Sequence, residues 1–175
     1  MSKKLSAGLL VHRISDTGVL EVLIAHPGGP FWARKDEGAW SIPKGEYAEG
    51  DDPKTVAFRE FEEEIGCAVP TGDVRELGSI RQPSGKVVTA FALEGEVELA
   101  DFRSNTFEME WPRGSGRMES FPEVDRAGWF PVAAARTKLL KGHVPFVETL
   151  IERLRYAGVA FDEGSPSATG GQSWP

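Results

Sequence analysis

Apolar segments near the start of the chain predict a β-hairpin followed by a short strand. Residues 5–14 form a nearly continuous apolar run, and a second run covers residues 19–25, with an Asp-Thr-Gly turn sequence at 16–18. Runs of this length bounded by turn residues are typical of buried strands. A loop rich in Gly, Pro and aromatic residues follows at 26–32, and a short strand is predicted at 39–42.

The strongest helix signal covers residues 53–65. Asp52 is a suitable N-cap residue, and Pro53 occupies the first helical position, where its missing N–H removes no hydrogen bond. Gly66 is a favourable residue for ending the helix. The sequence therefore predicts one well-delimited helix shortly after the Pro-Lys-Gly segment at 43–45.

Strands and helices continue in the second half of the chain. The predicted strands cover residues 74–81, 86–94 and 129–130, and the predicted helices cover residues 132–140 and 144–156. A polar stretch at 101–122 has little periodicity and is predicted as a long loop. Residues 1–160 are predicted to be a single domain with an α/β (α+β) sandwich fold. The Gly-, Ser- and Pro-rich residues 161–175 are predicted to be a disordered tail.

Composition excludes several classes of protein. The 175 residues carry 20 Lys and Arg against 27 Asp and Glu, a net charge of −7 that argues against binding long nucleic acids by bulk charge. One cysteine excludes an intramolecular disulfide and a Cys-rich metal cluster. No segment has the roughly 18 unbroken apolar residues of a membrane helix, and no signal-peptide pattern follows the apolar start. A cytoplasmic monomer or homodimer without membrane contact is expected.

Three carboxylates of the predicted helix share one face. On a helical wheel, Glu60, Glu63 and Glu64 fall within an arc of about 100°, next to the apolar arc that contains Phe61 and Ile65. Like charges at these spacings repel each other. The residues alone allow two interpretations: a solvated acidic face, or a site for a hard divalent cation such as Mg²⁺ or Mn²⁺, which prefers oxygen ligands.

The residues around these carboxylates resemble the Nudix box, whose pattern is G-x5-E-x7-R-E-U-x-E-E-x-G-U with U apolar. The positions in register are Gly45, Arg59, Glu60, Phe61, Glu63, Glu64 and Gly66. Cys67 fills the last apolar position, and Asp51 stands where the pattern has its first Glu. So many matched positions favour the metal site over the solvated acidic face.

The resemblance implies a MutT-like member of the Nudix hydrolase family. It is strong in the box and weaker over residues 5–156 as a whole. The implied fold is an α/β/α sandwich around a mixed β-sheet. The implied activity is hydrolysis of a pyrophosphate bond in a small nucleoside polyphosphate, either a nucleoside triphosphate or a dinucleoside polyphosphate.

The resemblance also implies roles within the box. Glu60 and Glu64 are the principal candidate ligands for Mg²⁺, with Mn²⁺ as a possible substitute, and Glu63 is either a ligand or the base that activates water. The Gly45 carbonyl is a further candidate ligand, because glycine allows close backbone approach. Bound metal would neutralise phosphate charge and lower the pKa of a coordinated water.

Three further residues are candidates for supporting this chemistry. Arg59 is expected to orient a helix carboxylate, and Asp51 occupies the position of a supporting residue near that arginine. Glu123 lies six residues before Trp129, a spacing that resembles that of the extra loop carboxylate in some family members. It is a second candidate base or metal ligand, and an ordinary loop carboxylate is the alternative.

Substrate contacts are predicted from weaker signals. The Pro-Lys-Gly sequence is similar to that of members acting on diadenosine polyphosphates or diphosphoinositol phosphates, and Lys44 is a candidate phosphate contact or an exposed surface lysine. Trp32 and Trp111 are candidates for stacking on a base, with packing roles as the alternative. Arg113 and Arg117 are candidates for holding phosphate, although their segment lacks the P-loop signature and a plain mobile loop is the alternative.

Alternative functions stay open at this point. A non-catalytic Nudix-like module that binds and senses a nucleotide is favoured only by Asp51, and an acidic adaptor without metal is a third hypothesis. His12, His26 and His143 are too scattered for a zinc motif and are expected to have packing or polar roles.

Overall fold

The computed structural model describes residues 3–168 and 172–173. Its strands are β1 (Leu5–Ile14), β2 (Leu20–Pro27), β3 (Lys44–Tyr47), β4 (Val74–Arg81), β5 (Val87–Glu94), β6 (Thr106–Glu110), β7 (Met118–Pro122), β8 (Val124–Pro131) and β9 (Gln172–Ser173). The main sheet has the order β4-β5-β1-β2-β8-β9, and β3 also pairs with β1. β1 is parallel to β5 and antiparallel to β2 and β3, so the sheet is mixed.

Helices cover both faces of this sheet. They are α1 (Pro53–Ile65), α2 (Val132–Lys138) and α3 (Val144–Tyr156). Side chains of a strand alternate between faces: Leu9 and Val11 of β1 belong to the core that contains Phe61 of α1, and Leu10 belongs to the core that contains Phe146 of α3. The predicted α/β/α sandwich around a mixed sheet is confirmed. None of the described helices combines the length and apolar character required to cross a membrane.

Helix α1 begins and ends where the sequence predicts. The Asp52 carboxylate accepts a hydrogen bond from the Thr55 backbone N at 3.0 Å, and Pro53 occupies the first turn. Gly66 ends the helix with a φ of 72°, a left-handed conformation that glycine adopts without strain. The buried residues of the helix are Val56, Ala57, Phe61 and Ile65. Their packing on the sheet fixes the direction in which the neighbouring carboxylates project.

The predicted strand at 39–42 is wrong. Trp40 and Ser41 form only isolated bridges, with Leu139 and Ala25, and the regular strand starts at Lys44. The reason is Pro43: it has no N–H to donate, and its carbonyl accepts a single hydrogen bond from Leu9 N at 3.0 Å. Pairing with β1 therefore begins one residue later.

The polar stretch predicted as a loop at 101–122 is largely a β-hairpin, which we call the arm. β6 and β7 pair from Thr106–Pro122 to Glu110–Met118, with residues 111–117 at the tip. Its alternation is hard to detect because the arm has no core of its own: Phe107 and Met109 are half-buried, and their neighbours are exposed. The sequence prediction was wrong here because half-buried positions carry a weak hydrophobic signal.

Part of the predicted tail makes specific contacts with the domain. Asp162 forms a bridge with Val19, and Glu163 accepts a hydrogen bond from Arg136 at 2.5 Å. The structure thus differs from the prediction of disorder over residues 161–168. Residues 169–171 and 174–175 of that predicted tail lie outside the described residues.

Candidate functional site

Strand β3 and helix α1 bring the first two candidate ligands together. A Cβ atom at Gly45 would overlap Glu60 Cδ and both of its carboxylate oxygens, so the Glu60 carboxylate lies directly against the glycine backbone. The backbone N of Lys44 donates a hydrogen bond to Glu64 Oε2 at 3.2 Å. Only glycine fits at position 45 without displacing Glu60. The start of β3 therefore holds two carboxylates that lie one helical turn apart.

Burial and mutual repulsion favour the protonated forms of these carboxyl groups. Burial is the largest cause that raises the pKa of Glu64, to about 8. Lys44 opposes this rise, and the charges of Glu60 and Glu123 add to it. Burial also raises the pKa of Glu60, followed by the charge of Glu63. The site thus holds more negative charge than its surroundings neutralise.

The raised pKa of Glu64 predicts that the metal-free protein loses stability as the pH rises. Between the ordinary value of 4.5 and about 8, the folded protein holds a proton that the unfolded chain has released. The stabilising contribution is therefore fully present below the lower value and is lost as pH rises through the higher one. We expect Glu64→Gln to remove this loss in thermal unfolding with EDTA from about pH 5 to about pH 9. Parallel pH profiles for the two proteins would contradict it.

Glu123 reaches the same site from the base of the arm. Its charge raises the pKa of both Glu60 and Glu64, and its backbone N donates to Asn105 O at 2.8 Å. Asn105 N in turn donates to Glu63 O at 3.1 Å. Two consecutive backbone hydrogen bonds therefore connect Glu123, through Asn105, to the last turn of α1.

The two supporting candidates in the box have different surroundings. Arg59 is half-exposed and lies 3.5 Å from Glu60 Oε1, where it partly offsets the rise in the pKa of Glu60. The Asp51 carboxylate accepts a hydrogen bond from Ala48 N at 3.2 Å. Asp51 therefore closes the turn before α1, a role that a short acidic side chain fulfils well.

The donor set fits a hard divalent cation, although its oxygens are not already gathered. In the described part of the chain, no group of three or more His, Cys, Asp and Glu side chains is arranged to hold a metal ion. Glu60 and Glu64 both lie against the start of β3, and carboxylates without a counter-charge repel one another. The close approach of Gly45 to Glu60 fits an oxygen-ligand cation site, and so do carboxyl groups whose pKa is raised by burial and then by neighbouring carboxylates.

The structure separates the predicted substrate residues into two groups. Trp32 is half-buried against the core on the α3 side, with the Lys35 ammonium 4.9 Å from its ring centroid. Trp111 lies on the arm, where its ring meets that of Phe31 edge to face at 5.5 Å, and Arg113 stacks over Phe31 at 4.9 Å. Trp111 and Arg113 thus share one surface that Trp32 does not join.

Arg117 and Lys44 complete the predicted substrate set. Arg117 is exposed at the tip of the arm, where its carbonyl accepts a hydrogen bond from Trp111 N at 2.9 Å. Lys44 is half-buried rather than exposed, and burial is the largest cause that lowers the pKa of its ammonium group. Its backbone, not its side chain, makes the hydrogen bond to Glu64.

Phe31 is the residue that sequence reasoning missed. It is 45% exposed, which is unusual for a large apolar side chain. Its partners Trp111 and Arg113 are distant in sequence and become neighbours only because the arm folds back over the loop that follows β2. The aromatic cluster in the sequence at 26–32 was the available signal, and it did not single out Phe31.

A sandwich with a carboxylate-bearing helix against a glycine-containing strand defines a domain of the Nudix type. The sequence-family model of the NUDIX domain matches residues 4–150 of the chain. The chain belongs to this family.

Curated relatives match over a limited stretch. An RNA pyrophosphohydrolase of Alkalilimnicola ehrlichii is 37% identical over 62 residues, which cover 34% of this chain and 33% of that protein. One of Rhodospirillum rubrum is 45% identical over 64 residues, covering 35% and 37%. The chain therefore matches about a third of the length of these relatives.

Solved structures share the fold over most of the chain. The NUDIX domain of Shewanella oneidensis NrtR, complexed with ADP ribose, has a TM-score of 0.59 at 18% identity and covers 88% of this chain and 90% of its own. An Ap4A hydrolase of C. elegans has a TM-score of 0.54 at 18% identity, covering 86% and 98%. These likenesses establish the fold.

Proposed function

We propose that this protein is a Mg²⁺-dependent pyrophosphohydrolase that cleaves a nucleoside polyphosphate, with Mn²⁺ as a substitute metal. The observation that carries the proposal is the grouping of Glu60 and Glu64 against the start of β3, with Glu123 close enough to raise the pKa of both. Surplus negative charge at one point suits a cation that in turn attracts a polyanionic substrate.

The residues of the chain divide the work in this proposal. Glu60 and Glu64, with the Gly45 carbonyl, would hold the metal, which when bound neutralises phosphate charge and makes water a stronger nucleophile. Arg59 holds Glu60 in place through its contact at 3.5 Å. Glu63 and Glu123 are the two candidates for taking the proton of the attacking water. Both side chains are exposed, and after burial the charge of each contributes to raising the pKa of Glu60.

The arm favours a substrate that extends beyond the cleaved bond. Each of its strands has five residues, so its tip reaches about 17 Å from Glu123. Trp111 and Arg113 of the tip, together with Phe31 of the loop after β2, form a surface for a base and its phosphate. The names of the two RNA pyrophosphohydrolases and of the structurally similar Ap4A hydrolase agree with an extended nucleotide.

A substrate panel tests this function. Nucleoside triphosphates, dinucleoside polyphosphates, triphosphorylated RNA, nucleotide sugars, NADH, capped RNA and diphosphoinositols are incubated with Mg²⁺ or Mn²⁺, and the products are separated by chromatography. We expect hydrolysis of an extended nucleotide that stops with EDTA. Tight nucleotide binding without hydrolysis under either metal would instead support the non-catalytic binding module. The structurally similar NUDIX domain of NrtR was solved in complex with a nucleotide, ADP ribose.

Removal of the Trp111 ring tests the role of the arm. Trp111→Ala is expected to raise the KM for an extended nucleotide about tenfold, because stacking on a base contributes about 1–3 kcal/mol. The KM for a mononucleoside triphosphate should change little. Met118→Ala is the matched control, since Met118 is a 62% exposed apolar residue of the same arm. Equal KM values in wild type and Trp111→Ala would exclude this surface from substrate binding.

A further inference from the structure

A second polar cluster lies on the face of the sheet opposite Glu60. Ser6 of β1 and His143, just before α3, are both 0% exposed. Among residues 3–168 and 172–173, neither Ser6 Oγ nor His143 Nε2 has a hydrogen-bond partner. His143 Nδ1 accepts a hydrogen bond from Ile42 N at 3.3 Å, so Nε2 carries the ring proton and is a donor. Buried polar atoms without partners are rare in folded proteins, so these two are available to hydrogen-bond a further group.

Two lysines lie on the same face of the sheet as Ser6. Ser6 pairs with Glu46 and Gly8 with Lys44 across the β1–β3 ladder. Side chains of a strand alternate, so Lys44 points away from Gly45 and Glu60 into the face that holds Ser6. Lys86 reaches over this face from the start of β5 to Glu46, with Nζ 3.2 Å from Oε1.

The charges in this cluster are unbalanced. Burial is the largest cause that lowers the pKa of His143, to about 3, and the charges of Lys44 and then Lys86 contribute to this shift. Glu46 is the acidic partner of Lys86, but its side chain is 60% exposed and lies at the rim. Lys44 is also attracted by Glu64 through the strand. A hydroxyl, an imidazole N–H and two ammonium groups thus lie on this face, where Glu46 at the rim is the carboxylate that contacts Lys86.

We propose that Ser6, His143, Lys44 and Lys86 form a binding site for a phosphate group, with the Glu46 carboxylate as a displaceable competitor for Lys86. Several donors around one point suit a tetrahedral oxyanion. A role of this site in substrate binding rests on the proposed function, because the bound group would then be a phosphate of the proposed substrate. Because Lys44 and Gly45 face opposite sides of β3, this phosphate is remote from the bond that is cleaved, or is free inorganic phosphate.

Calorimetric titration of the full chain with inorganic phosphate in EDTA tests the site without any hydrolysis. We expect binding by the wild type, about tenfold weaker binding by Ser6→Ala and by Lys86→Gln, and tighter binding by Glu46→Gln, because each change removes one charge-assisted contact or the competing carboxylate. Lys54→Gln, a change at an exposed lysine of α1, is the matched control. Added phosphate should also shift the His143 Nε2–H signal in NMR spectra.

Ser6→Ala separates loss of binding from loss of folding. It removes a buried hydroxyl without a partner, so its melting temperature without phosphate should equal or exceed that of the wild type. Absence of phosphate binding in both wild type and Glu46→Gln would overturn the proposal, and so would binding by Ser6→Ala and Lys86→Gln as tight as that of the wild type. Competition between phosphate and a non-hydrolysable nucleoside triphosphate would assign the site to a substrate phosphate, and independent binding would assign it to free phosphate. Both outcomes stand apart from whether the protein hydrolyses any substrate.

Discussion

Glu64→Gln is expected to lower the turnover of the proposed substrate by about 10³-fold while the protein stays folded, because loss of a charged metal ligand removes several kcal/mol of transition-state stabilisation. Gln keeps the shape of the side chain and still accepts the hydrogen bond from Lys44 N. Gln also does not ionise, so its burial lacks the cost of keeping the Glu64 carboxyl protonated at neutral pH, and the melting temperature should not fall. Steady-state kinetics with Mg²⁺ and thermal unfolding measure the two effects.

Glu62→Gln is the matched control for this change. Glu62 belongs to the same helix but is exposed, and its carboxylate accepts a long hydrogen bond from Val69 N at 3.4 Å. Its turnover should stay within about twofold of the wild type, as for an ordinary surface substitution. Equal turnover in wild type and Glu64→Gln would remove Glu64 from the metal site and the proposed mechanism with it.

Gly45→Ala is expected to lower turnover by about 10²-fold with little change in stability, because a displacement of about 1 Å in a reacting site has this effect on rate. The new methyl group would overlap the carboxyl end of Glu60, a flexible side chain that can rotate away. The fold therefore tolerates the change, and the metal loses a ligand. When activity is measured against Mg²⁺ concentration, the variant should need more Mg²⁺ than the wild type to reach half of its maximal rate.

Gly142→Ala separates this effect from the general cost of changing a glycine. A Cβ atom at Gly142 would meet only Gln82 side-chain atoms, at 3.9 Å or more, which is ordinary contact. Its turnover and Mg²⁺ requirement should match the wild type. If Gly45→Ala retained full activity at low Mg²⁺, the close approach of Gly45 and Glu60 would have no role in metal binding.

Local signals were sufficient to predict helix α1 and its carboxylates. The N-cap at Asp52, the proline after it and Gly66 all act within one or two turns, so their effect can be read without knowing the rest of the fold. The relation of Glu60 to Glu64 is likewise fixed by helical geometry. These features account for the accurate helix bounds and for the family resemblance.

Contacts between distant segments could not be predicted in this way. The distance of Glu123 from the box depends on the fold of the arm, and the pairing of Phe31 with Trp111 depends on how the arm lies over the loop after β2. The burial of Lys44 depends on β3 starting at Lys44 rather than at residue 39. Each outcome is set by tertiary packing, which periodicity does not report.

The backbone contacts at the base of the arm separate its length from the geometry of the site. Asn105 and Glu123 are joined by their own hydrogen bond, and Gly66 packs so closely on Arg103 that a Cβ atom there would overlap its carbonyl oxygen. The segment between Asn105 and Glu123 therefore leaves the domain and rejoins it at the same place. We therefore expect that a tight turn or a longer hairpin grafted onto this base would change the substrate contacts proposed for the arm, while the carboxylates keep their positions.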